Sequence, residues 1–286
     1  MTSAATLTAF AGELFASGSL EAKLRAPRSA AGAALPDPRE PALPRPERPA
    51  RAPGLALVGG APRLPRPAAL ASRDARARCL ARFAHHELCA VELLAWALLR
   101  WPDAPAGLRR SWASVLEDEQ RHCRMYLARL AALGSRLEEH PCSGYFWRVA
   151  EVSAQSAAGA RAFLAALGLT LEQGNLDFAA LYGEAFAAAG DPASAEVCRQ
   201  VQRDEIRHVR AAAHWLRALD PAAEDDLAAY RRAVPFPFSA ARAKGHRFDA
   251  GARSRAGLSP RLIEHVRAAR SAQELAGTRA CPPLRS

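Results

Sequence analysis

The sequence predicts an all-α fold: a four-helix bundle with a long connection between its third and fourth helices, preceded by a Pro-rich arm and followed by short helices. Three observations predict it. Ala, Leu and Arg dominate and β-branched residues are sparse across the middle, a composition that favours helix. Apolar residues recur at helical spacing along several long stretches. Two of those stretches carry the same short signature, Asp118-Glu119-Gln120-Arg121-His122 and Asp204-Glu205-Ile206-Arg207-His208. A chain of 286 residues suits one sizeable domain with appendages. We divide it into an N-terminal segment (1–68), a helical core (69–220) and a basic C-terminal extension (221–286).

Residues 2–25 read as one or two helical turns, with Phe10, Leu14 and Leu24 placed to dock on the body. Residues 27–67 hold 11 of the 21 prolines and so predict an extended, polyproline-like arm, either disordered or laid along the bundle. A helical pattern runs from about Ala69 to Arg100, with Phe83, Leu88, Val91, Leu94 and Leu98 on its apolar side. The turn Trp101-Pro102-Asp103-Ala104-Pro105 leads to a second helix, from about Ala106 to Leu133, which Gly134 closes. A third runs from about Tyr145 to Gly174 with an interruption near Gly168, and a shorter helix spans Phe178 to Ala189. Asp191 as N-cap and Pro192 at the first helical position open the fourth, which ends near Leu219. After Asp220-Pro221 come a short helix, an extended Val234-Pro235-Phe236-Pro237-Phe238, and a last helix from Ser259-Pro260 to about Arg270. The long connection between the third and fourth helices makes this a ferritin-like bundle rather than a plain up-and-down one.

Each of the two signatures contains Glu-x-x-His. Residues three apart share a helix face, so carboxylate and imidazole can reach one metal ion together. With 18 Glu and 8 His in the chain, chance supplies about 0.5 such matches. Two matches, each preceded by Asp and each with Arg before the His, exceed that. Spacing then points to two further glutamates: Glu87 lies 32 residues before Glu119, and Glu172 lies 33 before Glu205. Around the Trp101–Pro105 turn, Glu87 and Glu119 come level on antiparallel helices. Glu92 sits about 4 Å off level and is the alternative ligand or a supporting group. Glu92 follows Glu87 by five residues, as Asp177 follows Glu172. Six ligands result: Glu87, Glu119, His122, Glu172, Glu205 and His208, with Glu92, Asp118, Asp177 and Asp204 as alternative or supporting acids. Glutamates within apolar helix strips need cations to offset their desolvation. Carboxylate with imidazole suits iron, or manganese, better than a thiolate-seeking metal. The competing reading has Glu119 and Glu205 in exposed ion pairs with Arg121 and Arg207. His85 and His86 are read as capping or packing residues, and His140, His214, His246 and His265 as structural or solvated.

Other classes are set aside. No apolar run reaches membrane-spanning length, and no secretory signal pattern opens the chain. The six cysteines form no Cys-x-x-Cys pair, so they fit a reducing cytosol, with Cys89 and Cys123 as small core residues. The net charge of +10 is uneven. Residues 25–78 carry 11 Arg against 4 acids and residues 231–286 carry 11 Arg and 1 Lys against 3, flanking a core of 15 Arg against 20 acids. Basic arms can recruit a polyanion such as RNA, or pack on the acidic bundle; the second reading is preferred.

The motifs His85-His86-Glu87-Leu88, Val91-Glu92-Leu93, Asp118-Glu119-x-x-His122, Gly168-Leu169-Thr170-Leu171-Glu172, Asn175-Leu176-Asp177-Phe178 and Arg203-Asp204-Glu205-x-x-His208-Val209 resemble the ferritin-like proteins of domain-of-unknown-function family 455. The likeness extends from about residue 10 to 268 and takes in Pro235-Phe236-Pro237 and Arg253-x-x-Ala256-Gly257. Within the wider superfamily it is closer to the two-histidine oxygenases, among them tRNA hydroxylases, than to storage ferritins. The resemblance implies that Glu119 and Glu205 bridge two metals, Glu87 and Glu172 cap them, and His122 and His208 each hold one. Gln173 and Gly174 depart from typical members beside a ligand, which bears on the substrate pocket. The expected activity is that of a non-haem di-iron oxidoreductase using O2, an electron donor and an organic substrate, tRNA or another anion among the candidates. The alternatives are a ferroxidase or peroxide-handling protein, and a metal-free helical protein that binds nucleic acid.

Overall fold

The computed structural model describes residues 4–38, 47–59 and 63–270. The described chain is overwhelmingly helical, and none of its helices is long and apolar enough to cross a membrane. It divides into two compact units, Met1–Gln155 with Leu181–Val201, and Ser156–Ala180 with Gln202–Ser286.

In the first unit, α1 (Leu7–Ala16) starts at Thr6, whose Oγ1 accepts from Ala9 N at 3.2 Å. α1 lays Leu7, Phe10, Leu14 and Phe15 into the interior, and Phe15 meets Trp147 edge-on at 5.8 Å. A single turn, α2 (Leu20–Lys23), follows. β1 (Leu57–Val58) pairs in parallel with β2 (Cys142–Ser143). α3 (Arg73–Arg100) and α4 (Ala106–Ala132) are the long antiparallel pair that the Trp101–Pro105 turn predicts, and they pack closely along their length. Gly134, at φ +70°, ends α4. Its N–H bonds Ala131 O and that of Ser135 bonds Leu130 O, so the last carbonyls find donors in a left-handed turn that glycine adopts without strain.

The described part of the Pro-rich arm is laid against this unit; its residues 39–46 and 60–62 lie outside the described residues. Leu55 is buried, and Pro65 O accepts from the Tyr182 hydroxyl at 2.6 Å. Arg109 ties several segments together. It donates to Leu98 O and Trp101 O at the end of α3, to Thr8 Oγ1, and with two nitrogens to Asp37 at 2.8 and 2.9 Å.

The third helix differs from expectation, and so does the connection after it: only residues 189–191 separate it from the next long helix, and the long connection lies before it, between Ala132 and Ala160. Gly144–Trp147 is a 3₁₀ turn, α5 (Arg148–Gln155) ends early, and the chain turns at Gly159, φ +53°. From there α6 (Ala160–Phe163), a π-helical stretch (Leu164–Glu172) and α7 (Gln173–Ala188) follow without interruption. Neither Gly168 nor Gly174 breaks the helix. Both are packing residues. A Cβ at 168 would stand 2.3 Å from Ala212 Cβ, and one at 174 would stand 3.0 Å from Arg242 O. Glycine is kept there for close approach, not for a turn. α8 (Pro192–Ala218) begins as predicted, with Asp191 Oδ1 accepting from Ser194 N at 3.0 Å.

The rest of the second unit is α9 (Asp226–Ala233), α10 (Ala250–Arg255) and α11 (Pro260–Ala268), capped by Asp225, Asp249 and Ser259. Between α9 and α10, residues 235–238 form a turn rather than an extended segment, closed by Phe238 N to Pro235 O at 2.8 Å. The extension beyond Arg270, with Cys281, lies outside the described residues. Arg253 anchors this region. It is fully buried, meets both Asp177 oxygens at 2.7 and 2.9 Å, and donates to Gln173 O, Ala243 O and Asp249 O. Asp177 also accepts from Gly245 N and Asp249 N.

Removing one partner of a buried pair strands the other charge. Arg253→Met should therefore cost about 3–5 kcal/mol, read as a shift of the urea midpoint with little change in slope. Asp177→Asn combined with Arg253→Met should cost less than the two single changes summed.

Candidate metal centre

In the first unit α3 supplies Glu87, and α4 supplies Glu119 and His122. Glu119 and His122 project from one face because they are three residues apart. His122 Nδ1 lies 3.5 Å from Glu119 Oε2 and 3.8 Å from Glu87 Oε2. All three side chains are buried. Burial pushes the Glu87 carboxyl well above the ordinary carboxylate value. The charge of Glu119 pushes the same way, and His122 opposes it. Two carboxylates and an imidazole converging in an apolar setting are a poor site for protons alone and a suitable donor set for a divalent ion.

The second unit repeats this arrangement. Glu205 and His208 lie on α8, and His208 Nδ1 is 3.5 Å from Glu205 Oε2, the distance found for the first pair. Glu172 closes the π-helical stretch, and a carboxylate oxygen of it lies within 4.8 Å of a ring nitrogen of His208. Asn175 Nδ2 donates to Glu205 Oε1 at 2.8 Å. Glu205 Oε2 makes no hydrogen bond and faces the imidazole. The wide π turn is itself held by side chains. Thr170 Oγ1 donates to Ala165 O at 2.8 Å and lies 3.0 Å from the Tyr230 hydroxyl. Single π turns tend to occur at functional positions.

Among the described residues, those belonging to buried acid–imidazole groups close enough to hold a metal ion are Glu87, Glu119, His122, Glu172, Glu205 and His208, the six selected from the sequence.

The supporting acids fall differently. Glu92 is no alternative ligand, since both its oxygens are engaged elsewhere. Arg51 meets them at 3.0 and 2.6 Å, and the buried Lys23 ammonium lies 3.0 Å away. Desolvation lowers the Lys23 pKa, and Glu92 opposes that shift. The physical reason is angular: five residues turn a helix by about 140°, so Glu92 and Glu87 face different neighbours. Asp177 stands in the same relation to Glu172, and Arg253 holds it. Asp118 and Asp204 each accept from the arginine three residues on, Arg121 at 2.6 Å and Arg207 at 2.5 Å. The competing sequence reading gave those arginines to the glutamates. His85 packs as expected, its Nε2 2.9 Å from Ser143 O and its Nδ1 3.4 Å from Arg51. His86 stacks on Phe146 at 4.6 Å. The sequence reading gave no role to Asn175, Lys23, Arg51, Arg253 and Tyr230, although Asn175 and Arg253 stand in the family motifs. Only Asn175, three residues after Glu172, had a helical-spacing signal.

A family model described as "Protein of unknown function (DUF455)" matches residues 11–264. The chain belongs to this family. No curated protein and no solved structure matches it. The DUF455 match spans both units and includes every residue of both acid–imidazole sets.

The raised Glu87 pKa has a measurable sign. In metal-free protein the folded state holds this proton at pH values where the unfolded chain has released it. Glu87 therefore destabilises the fold increasingly as pH rises above the unfolded value of about 4.3. In chelator, Glu87→Gln should gain stability relative to the parent as pH rises above about 4.3, with the melting-temperature difference widening until Glu87 itself ionises in the folded protein. A difference independent of pH would contradict the assigned environment.

Proposed function

We propose that the chain is a ferritin-like, non-haem di-iron oxidoreductase whose metals are held by Glu87, Glu119, His122, Glu172, Glu205 and His208, with manganese as the alternative metal. The observation that carries this reading is the buried Glu-x-x-His pair found twice with the same 3.5 Å contact. In the proposed arrangement α3, α4, the helix from Ala160 to Ala188 and α8 are the four bundle helices. Glu87, Glu119, Glu172 and Glu205 would supply carboxylate ligands to the metals, and His122 and His208 would supply imidazole ligands.

Bound ferrous ions would supply O2 activation for oxidation of an organic substrate, with an electron donor completing the four-electron reduction of O2. The chain's own contribution is preorganisation. The helical backbone fixes each Glu against its His. Asn175 holds one Glu205 oxygen and so orients the other. Apolar neighbours such as Leu88 and Val91 keep water out. Two metals would offset the desolvation cost of four carboxylates that burial otherwise opposes.

Glu119→Ala and Glu205→Ala are each expected to reduce the metal content of anaerobically purified protein by at least one ion per chain while far-UV circular dichroism is retained. Full metal content in either variant would sink the assignment. Ferrous-loaded parent protein should consume O2 slowly alone and faster with a substrate-containing metabolite or RNA fraction. Oxidation of many added ferrous ions per chain would instead establish a ferroxidase.

A further inference from the structure

The C-terminal extension carries charge and an aromatic ring that neither the fold nor the metal centre uses. Between Arg231 and Arg270 there are ten Arg and Lys and two acids, Asp249 and Glu264, a net charge of +8. Part of this charge is structural. Arg253 is buried against Asp177, Arg255 lies 4.0 Å from Asp249, and Arg261 pairs with Asp225. Arg231 and Arg232 lie on α9 and Arg267 on α11, and these two helices pack together. α9 ends in Arg231 and Arg232, both exposed. Arg231 Nη2 lies 3.2 Å from His265 Nδ1 on α11, so two basic side chains meet. Arg232 has a 3.5 Å contact with Asp220 and keeps half its side chain in water. At the end of α11 Arg267 pairs with Glu264 at 3.0 Å and lies over the Phe248 ring at 5.1 Å while half its side chain stays in water, and Lys244 donates to the Arg267 carbonyl.

Three residues past α9 stands Phe236, 92% exposed; Val58, at 44%, is the other exposed large apolar side chain among the described residues. Pro235 and Pro237 flank it, which limits the backbone freedom a partner would have to freeze. The intervening chain keeps Phe236 within about 18 Å of Arg231. A single ring held in water within a few residues of exposed guanidinium groups suits the reading of unpaired bases between phosphates. It is too small an apolar area for stable protein association.

We propose that this face binds a single-stranded polynucleotide, Phe236 stacking on a base while Arg231, Arg232 and Arg267 engage the adjoining phosphates. A duplex is the poorer fit, because its bases are stacked on one another and leave no face for the ring. The proposal concerns the extension alone and does not depend on the metal centre.

The test is fluorescence anisotropy of the full-length protein with a fluorescein-labelled oligouridylate over a range of salt concentrations. Affinity should fall with salt. Phe236→Leu, which keeps apolar bulk but loses the aromatic face, should weaken binding about tenfold at an unchanged salt slope, and Phe236→Trp should preserve it. Arg231→Gln with Arg232→Gln should lower the slope by about 1.4, two single-strand phosphate contacts' worth. These side chains are exposed, so melting temperatures should match the parent's. Absence of binding at low salt, parental affinity for Phe236→Leu, or equal competition by polyglutamate or a duplex of the same length would each overturn the proposal.

Discussion

A carboxylate removed from water must be met by positive charge or by a proton. That constraint organises this molecule. Its long helices carry acids on apolar faces, and the six acids that follow resolve the problem in one of two ways. Glu92 is matched by Lys23 and Arg51, and Asp177 by Arg253, all buried. Glu87, Glu119, Glu172 and Glu205 instead stand beside imidazoles, and the Glu87 carboxyl is displaced toward its protonated form. The first group is completed by the protein. The second has the donor composition of a metal site.

The two groups are interleaved in the sequence. An acid lies five residues after Glu87 and another five after Glu172, and both anchor an extension. Glu92 holds the N-terminal segment through Lys23 and Arg51, and Asp177 holds the C-terminal segment through Arg253. Arg51 and Arg253 in the Arg-rich arms are thereby explained as attachments to acidic helices. Charge left over after that attachment, around Arg231 and Arg267, is what carries the proposal of a polyanion surface. The same pairing gives the extensions a structural part in the site. Arg253 also donates to the carbonyl of Gln173, next to Glu172, so the C-terminal segment braces the helix at the ligand position. Tyr230, on α9, meets Thr170 inside the π-helical stretch that ends at Glu172.

The sequence by itself was sufficient for the helical class, the α3–α4 hairpin, the caps of α8 and α11, and the six acid and imidazole side chains. These follow from local rules: helical periodicity, a Pro-bounded turn, N-cap chemistry and the i, i+3 relation within one helix. Tertiary structure decided what such rules do not encode. Gly168 and Gly174 look like breaks in the sequence, but the helix continues through both, and each glycine instead serves the close approach of a neighbour, Ala212 and the backbone at Arg242. Glu92 and Asp177 look like spare ligands, but their partners are 41 and 76 residues away along the chain. Phe236 reads as one more apolar residue of a Pro-rich stretch, yet its ring stands in water. Helical spacing determines which side chains share a face. Which distant charge or backbone meets that face depends on chain segments whose pairing leaves no periodic trace in the sequence.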